Sequence, residues 1–151
     1  MRSMKRFGLQ GKGDEMKYYA VIDTNVIVSS LLSPYPDSAT VLIRKHVAKG
    51  DLVPLFNAEI FAEYRSVLAR PKLGLPESLV AAVLDAINEA GLSLGRTASA
   101  ESFPDPKDVV FYEVALSKED AYLVTGNIKH FPKKPFVVTP AEMLAIIEKN
   151  K

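Results

Sequence analysis

Short apolar runs alternate with amphipathic stretches along this chain. "YYAVI" (Tyr18–Ile22) is apolar and β-branched at its end, which predicts a buried strand. "SPYPDS" predicts a loop, from which Asp37 or Ser38 caps a helix over "ATVLIRKHVAKG" that Gly50 ends. "LVPLF" (Leu52–Phe56) reads as a second strand; Pro54 counts against it, because proline cannot donate to a sheet ladder. "AEIFAEYRSVLAR" reads as a helix with Asn57 as its cap and Pro71 beyond its end. "PESLVAAVLDAINEAG" is a clearer helix, with Pro76 at its start, apolar residues at 79, 80, 83, 84 and 87, and Gly91 after it. "LSLGR" predicts a short strand. "DPKDVVFYEVALSK" predicts a helix with Asp105 as cap and Pro106 in its first position. "AYLVT" (121–125) and "FVVT" (136–139) complete the strands, and a last helix starts at Pro140.

This alternation predicts an α/β fold with a mainly parallel sheet covered on both faces. In such open sheets, sites form outside the carboxyl ends of the strands. Asp23 takes that place on the first strand, and Thr125, Gly126 and Asn127 take it on "AYLV".

Composition narrows the picture. A chain of 151 residues suits one domain with a sizeable core. The absence of cysteine removes disulfides, thiolate chemistry and cysteine-held zinc, and it fits a reducing cytoplasm. No apolar run approaches the ~18 residues that span a membrane, so no membrane partner is expected. A net charge of +1 leaves nucleic-acid binding to local patches. Residues 1–16, "MRSMKRFGLQGKGDEM", lack the apolar centre of a signal peptide and read as a tail, with Met16 as an alternative start. The domain is expected over residues 17–151.

Three acidic positions stand out. Asp23 interrupts an apolar run, where a carboxylate is expensive unless paired, hydrogen-bonded or bound to metal; a plain helix cap is the competing account. In "AEIFAEYRSVL", Ile60, Phe61, Tyr64, Val67 and Leu68 form one stripe. At roughly 100° per residue, Glu63 sits ~100° from the stripe centre and Glu59 ~140° away. Glu63 is thus expected at the buried margin and Glu59 toward solvent, although a surface pairing of Glu63 with an arginine is the simpler alternative. Asp105 and Asp108 in "PDPKD" suit a helix start, as an aspartate form of a capping box. Three carboxylates meeting at one sheet edge repel one another, and a divalent cation relieves that repulsion. Oxygen-only ligands favour Mg²⁺ or Mn²⁺ over zinc.

The ordered set "VIDTNV", "EIFAEYRSVL", "PDPKDVVFYEVAL", "DAYLVTGNIKHFP" and "VVTPAEML" resembles the PIN-domain nucleases, closest to their small single-domain prokaryotic branch of toxins from toxin–antitoxin pairs. The resemblance runs from Lys17 to the end. It implies a three-layer α/β/α sandwich with a parallel sheet. It matches Asp23, Glu63 and Asp108 to the family's acidic, metal-holding positions, and Asn25 and Thr125 to polar positions around the metal. Many members carry a fourth acid where this chain has Asn127, whose amide adds no charge; that disfavours a second metal. The implied activity is Mg²⁺- or Mn²⁺-dependent hydrolysis of RNA phosphodiesters, with Asp23, Glu63, Asp108 and Asn127 at the catalytic centre. Products should carry 5′-phosphate and 3′-hydroxyl ends. The implied partners are RNA, a cognate antitoxin protein and a second copy of the chain in a homodimer.

Lys129, Lys133 and Lys134 in "NIKHFPKKP" follow the "TGN" turn, where they form either a phosphate-tracking rim or a solvated loop. Arg65, Arg70 and Lys72 suit contacts with RNA or with acidic residues. His46 and His130 lack metal-ligand spacing and read as surface or packing residues. A receiver-type phosphorylation domain would need an acidic pair after the first strand, and a dinucleotide-binding domain a glycine-rich turn there; "DTNVIV" has neither. A non-catalytic module on the same fold, binding RNA or a protein, is the remaining alternative.

Overall fold

A computed structural model describes residues 16–150. The expected tail therefore lies outside the described residues, except for Met16. Five strands, β1 (Tyr18–Ile22), β2 (Leu52–Phe56), β3 (Leu92–Ser93), β4 (Tyr122–Val124) and β5 (Val137–Val138), form one sheet in the order β3-β2-β1-β4-β5. Every pairing is parallel. Six helices connect and follow them: α1 (Thr24–Leu32), α2 (Ala39–Lys49), α3 (Ala58–Leu68), α4 (Glu77–Ala90), α5 (Val109–Leu116) and α6 (Pro140–Lys149). Helix α5 lies against β1, β2 and β4 and touches α3, while α2 lies against β2 and touches α1, α4 and α6. The result is the expected α/β/α sandwich. Among the described residues no helix is long and apolar enough to cross a membrane.

Local chemistry explains the boundaries. Asn57 Oδ1 accepts the Ile60 amide at 2.9 Å and so starts α3. Gly50 ends α2 in the left-handed region at φ 97°, its N–H bonding the His46 and Val47 carbonyls. Thr139 and Glu142 close a reciprocal capping box on α6. The apolar stripe of α3 buries Ile60, Tyr64 and Leu68 fully, as its period requires.

One expected strand needs a physical account, and one expected helix starts differently. Pro54 does sit in a central strand. In an extended strand a residue's nitrogen and carbonyl face the same neighbour, and Pro54's carbonyl faces Gly91 on the β3 side. There β3 pairs only from Leu55 onward, so no ladder bond is lost. The helix expected from Pro106 begins instead as a 3₁₀ turn over Pro106–Asp108, with α5 starting at Val109. Asp105 accepts the amide of Lys107, only two residues ahead, at 2.9 Å, and that tight closure suits a 3₁₀ turn.

The strand order also locates a crevice. From β1 the chain moves outward to β2 and β3, then crosses to the other side for β4 and β5. The carboxyl ends of β1 and β4 flank that reversal, where ligands bind in open α/β sheets.

Candidate active site

Asp23 follows the last residue of β1, and its backbone N–H bonds the Val124 carbonyl at the end of β4. It occupies the cap position of α1 but makes no side-chain capping bond, so the simple cap account fails. The residue is 6% exposed. Oδ2 accepts the Thr125 hydroxyl at 2.7 Å and the Asn25 amide at 3.3 Å. Thr125 Oγ1 in turn accepts the Asn127 backbone N–H at 3.0 Å, and Asn25 Oδ1 accepts that of Gly126 at 3.3 Å. The ends of β1 and β4 are thus stitched together around one carboxylate. Burial pushes the Asp23 carboxyl above its ordinary range, the Thr125 hydroxyl and Thr24 amide pull it back, and nearby Glu63 pushes it up again.

Helix α3 contributes Glu63. Thr24 Oγ1 donates to its Oε2 at 2.6 Å. Glu59 points the other way, to Arg96 at 2.9 Å, so the helical phase assigns the two glutamates correctly. Below them Tyr64 is fully buried and donates to the Ile22 carbonyl, fixing α3 on the end of β1. Its phenol is driven well above its usual value by burial, then by Asp23 and Glu63.

Asp108 ends the 3₁₀ turn before α5. Its Oδ2 is buried and has no hydrogen-bond partner. His130 Nδ1 lies 3.5 Å away, too far to satisfy it. Burial raises the Asp108 carboxyl to about 6, with Asp23, Asp105 and Glu63 adding repulsion and His130 opposing it. Asp23, Glu63, Asp105 and Asp108 line one open cleft of ≈ 850 Å³.

This donor set fits a hard divalent cation. Its ligands are all oxygen, one buried carboxylate oxygen is orphaned, and the acids raise one another's affinity for protons. Among the described residues, however, no three His, Cys, Asp or Glu side chains are drawn together closely enough to hold an ion. Glu63 rests on Thr24 instead.

A protein-family model described as PIN domain matches residues 19–129. The chain belongs to the PIN-domain family. PIN domains are generally nucleases and typically use divalent metals, so this fold is of nuclease type. Comparisons with curated proteins and with solved structures find no match.

The other residues expected at the site of this PIN domain are distributed unevenly. Asn25 and Thr125 sit directly on Asp23 and position it. Asn127 is exposed, makes no side-chain hydrogen bond and does not line the acidic cleft. Lys129, Lys133 and Lys134 line a separate hollow with Phe131 and Pro132, and Lys134 is paired with Glu101 at 3.1 Å. His46 pairs with Asp51 at 2.9 Å and is structural. Arg65 lies over the Phe61 ring, whereas Arg70 and Lys72 line the acidic cleft. Three participants escaped the sequence reading. His130 was set aside for lack of ligand spacing, yet it faces Asp108. Thr24, one residue after Asp23 in "VIDTNV", holds Glu63. Lys107 was read as part of a helix start and lines the cleft.

Proposed function

We propose that this PIN domain is a metal-dependent endoribonuclease that hydrolyses RNA phosphodiesters, acting as the toxin of a type II toxin–antitoxin pair. The observation that carries the nuclease reading is the orphaned Asp108 oxygen in the same cleft as the buried Asp23. Asp23 and Asp108 would hold Mg²⁺ or Mn²⁺, with Glu63 as the third acid. When bound, such an ion neutralises charge on the phosphodiester and lowers the pKa of water.

The protein's own side chains have distinct tasks. Thr125 and Asn25 hold Asp23 in one orientation through Oδ2. Glu63 is anchored by Thr24 through Oε2, and among the described residues its Oε1 has no hydrogen-bond partner, which leaves it to orient water or accept a proton. The orientation is set before substrate arrives, which lowers the reorganisation needed during reaction. Nothing in this set requires a ribose 2′-hydroxyl, so single-stranded DNA is the necessary comparison substrate.

The toxin role draws support from the motif resemblance to the small prokaryotic branch. The same resemblance supports a cytoplasmic location, an antitoxin partner and a homodimer. A small DNA-binding gene overlapping immediately upstream would agree with it, and an isolated gene would argue against it.

Cleavage of single-stranded RNA by the wild-type protein in Mn²⁺, with 5′-phosphate products and none in EDTA, is the expected result. Absence of Mn²⁺-dependent cleavage would favour a non-catalytic module. That second reading draws on the separation of the acids and on the uncharged, exposed Asn127.

A further inference from the structure

The acidic cleft carries a basic margin of an unusual kind. Arg70 and Lys72 lie just after α3, Arg70 capping and Lys72 within the 3₁₀ turn Pro71–Leu73 that Gly74 closes in the left-handed region at φ 64°. Lys107 lies between Asp105 and Asp108 on the other 3₁₀ turn. All three are exposed. Among the described residues their side chains make no ion pair and no hydrogen bond, although four carboxylates line the same cleft. Among the described residues Lys17, Lys129 and Lys133 are equally unpaired but lie outside this cleft, and other cations are engaged. Arg44 bonds the Ser30 carbonyl, Lys45 the Pro36 carbonyl, Lys118 pairs with Asp120, and Arg96 bridges Glu59 and Glu113.

The rest of the cleft lining is small or aliphatic, including Ala62, Ser66 and Val67, and no aromatic side chain lines it. A protein that binds single strands through their bases offers aromatic platforms on which those bases stack. Here a strand finds no stacking platform, only small polar side chains and three unpaired cations beside acids of which Asp23 alone is fully buried.

We infer that Arg70, Lys72 and Lys107 track the phosphate backbone of a single-stranded nucleic acid through the cleft, without reading its bases. The inference rests on the nuclease reading for the identity of the polyanion. It transfers the phosphate-binding role from the Lys129–Lys134 segment to these two turns. Lys134 is paired with Glu101, and the segment, unpaired Lys129 and Lys133 included, opens onto a different hollow; position sets it apart, not pairing. Binding should be indifferent to base identity and steeply dependent on salt. Three phosphate contacts to a single strand give a slope of about −2 in log affinity against log salt.

The test is fluorescence anisotropy of a labelled oligouridylate with the full-length protein in EDTA, where no hydrolysis intervenes. The triple variant Arg70→Gln/Lys72→Gln/Lys107→Gln should bring the slope close to zero and weaken binding. Lys129→Gln/Lys133→Gln/Lys134→Gln should leave the slope near its wild-type value. An abasic oligomer should bind almost as well as the oligouridylate, whereas loss of one stacked base would cost about fivefold or more. An unchanged slope in the first variant, a collapsed slope in the second, or loss of binding by the abasic chain would each overturn the inference. Mn²⁺-dependent cleavage, followed in parallel, separates the two readings. Wild-type cleavage with an unchanged KM in the first variant overturns the basic margin alone. A wild-type protein that binds with the expected slope but never cleaves supports the margin and overturns the nuclease.

Discussion

Asp23 and Asp108 are carboxylates shielded from water in one cleft, and they are held in opposite ways. Asp23 ends a central strand and has two side-chain donors on one oxygen, with a backbone N–H behind each donor. Asp108 ends a 3₁₀ turn at the margin, and its buried oxygen has no hydrogen bond. Both are raised above the ordinary aspartate range, yet donors partly offset the burial of Asp23, whereas for Asp108 only His130 opposes it. One carboxylate is already organised by the protein, and the other is left for a ligand to satisfy.

The largest effect should follow from removing the organised partner. Asp23→Asn should lower Mn²⁺-dependent cleavage more than about 100-fold, the upper range for losing a mere outer-shell partner. The metal-free variant should be as stable as wild type or more so, because like-charge crowding is relieved. Wild-type turnover on the same RNA would remove Asp23 from the site.

Thr125→Val tests what holds Asp23 in place. It deletes the 2.7 Å donor while keeping the side-chain shape, and cleavage should fall about 10- to 100-fold through weaker metal affinity. Calorimetric titration of Mn²⁺ is the check. A loss in cleavage with unchanged metal affinity would show that Thr125 acts on the substrate rather than through Asp23.

The orphaned partner should show itself in pH dependence. A carboxyl at about 6 in the folded chain, against 3.8 as its ordinary value, binds more protons folded than unfolded between those pH values. Metal-free stability should therefore fall as pH rises through that window and level off above it. Asp23 is shifted in the same direction and contributes the same sign. Asp108→Asn should flatten part of this decline in thermal unfolding measured in EDTA. An unaltered profile would mean that Asp108 is better solvated than its buried oxygen indicates.

Asn127→Asp should have the smallest effect. The family pattern suggests a fourth acid here, but the side chain is exposed and outside the cleft. A charge on a solvent-exposed side chain is screened by water and is worth well under ~1 kcal/mol. Mn²⁺ affinity should change less than about twofold, and a large increase would bring Asn127 back to the metal.

The acids were legible because each sits at a position that local rules address. Asp23 breaks an apolar strand, Glu63 falls on a computable helical phase, and Asp105 and Asp108 open a helix behind a proline. The contacts that organise them were not. The Thr125–Asp23 bond joins residues 102 apart and Thr24–Glu63 joins residues 39 apart, and neither partner carries a periodic signal. His130 was invisible for a related reason: the course of its turn, not its spacing, brings it to Asp108. Sheet order, and with it the reversal between β1 and β4, depends on pairings that hydrophobic alternation does not specify. In the lysine-rich "NIKHFPKKP" charge density is visible in sequence, while the pairing of Lys134 with Glu101 and the hollow the segment faces are not. The cations that do line the cleft are scattered over two turns, at 70, 72 and 107.

One feature far from the acids bears on how this chain avoids its own kind. At the Gly91 position an added methyl would stand 2.3 Å from the Pro54 carbonyl oxygen, so only glycine lets β3 close over β2. Beneath that two-residue cover lies "LVPLF", wholly apolar and wholly buried. Uncovered, it would be a sticky border on which another molecule's strand could grow. Pro54 interrupts that border with a missing N–H on the very side β3 guards. Glycine keeps the latch shut, and proline blunts what the latch conceals. Gly91→Ala should consequently raise light scattering on mild heating, and Pro54→Val in the same chain should raise it further; two clear solutions would show that the border is harmless.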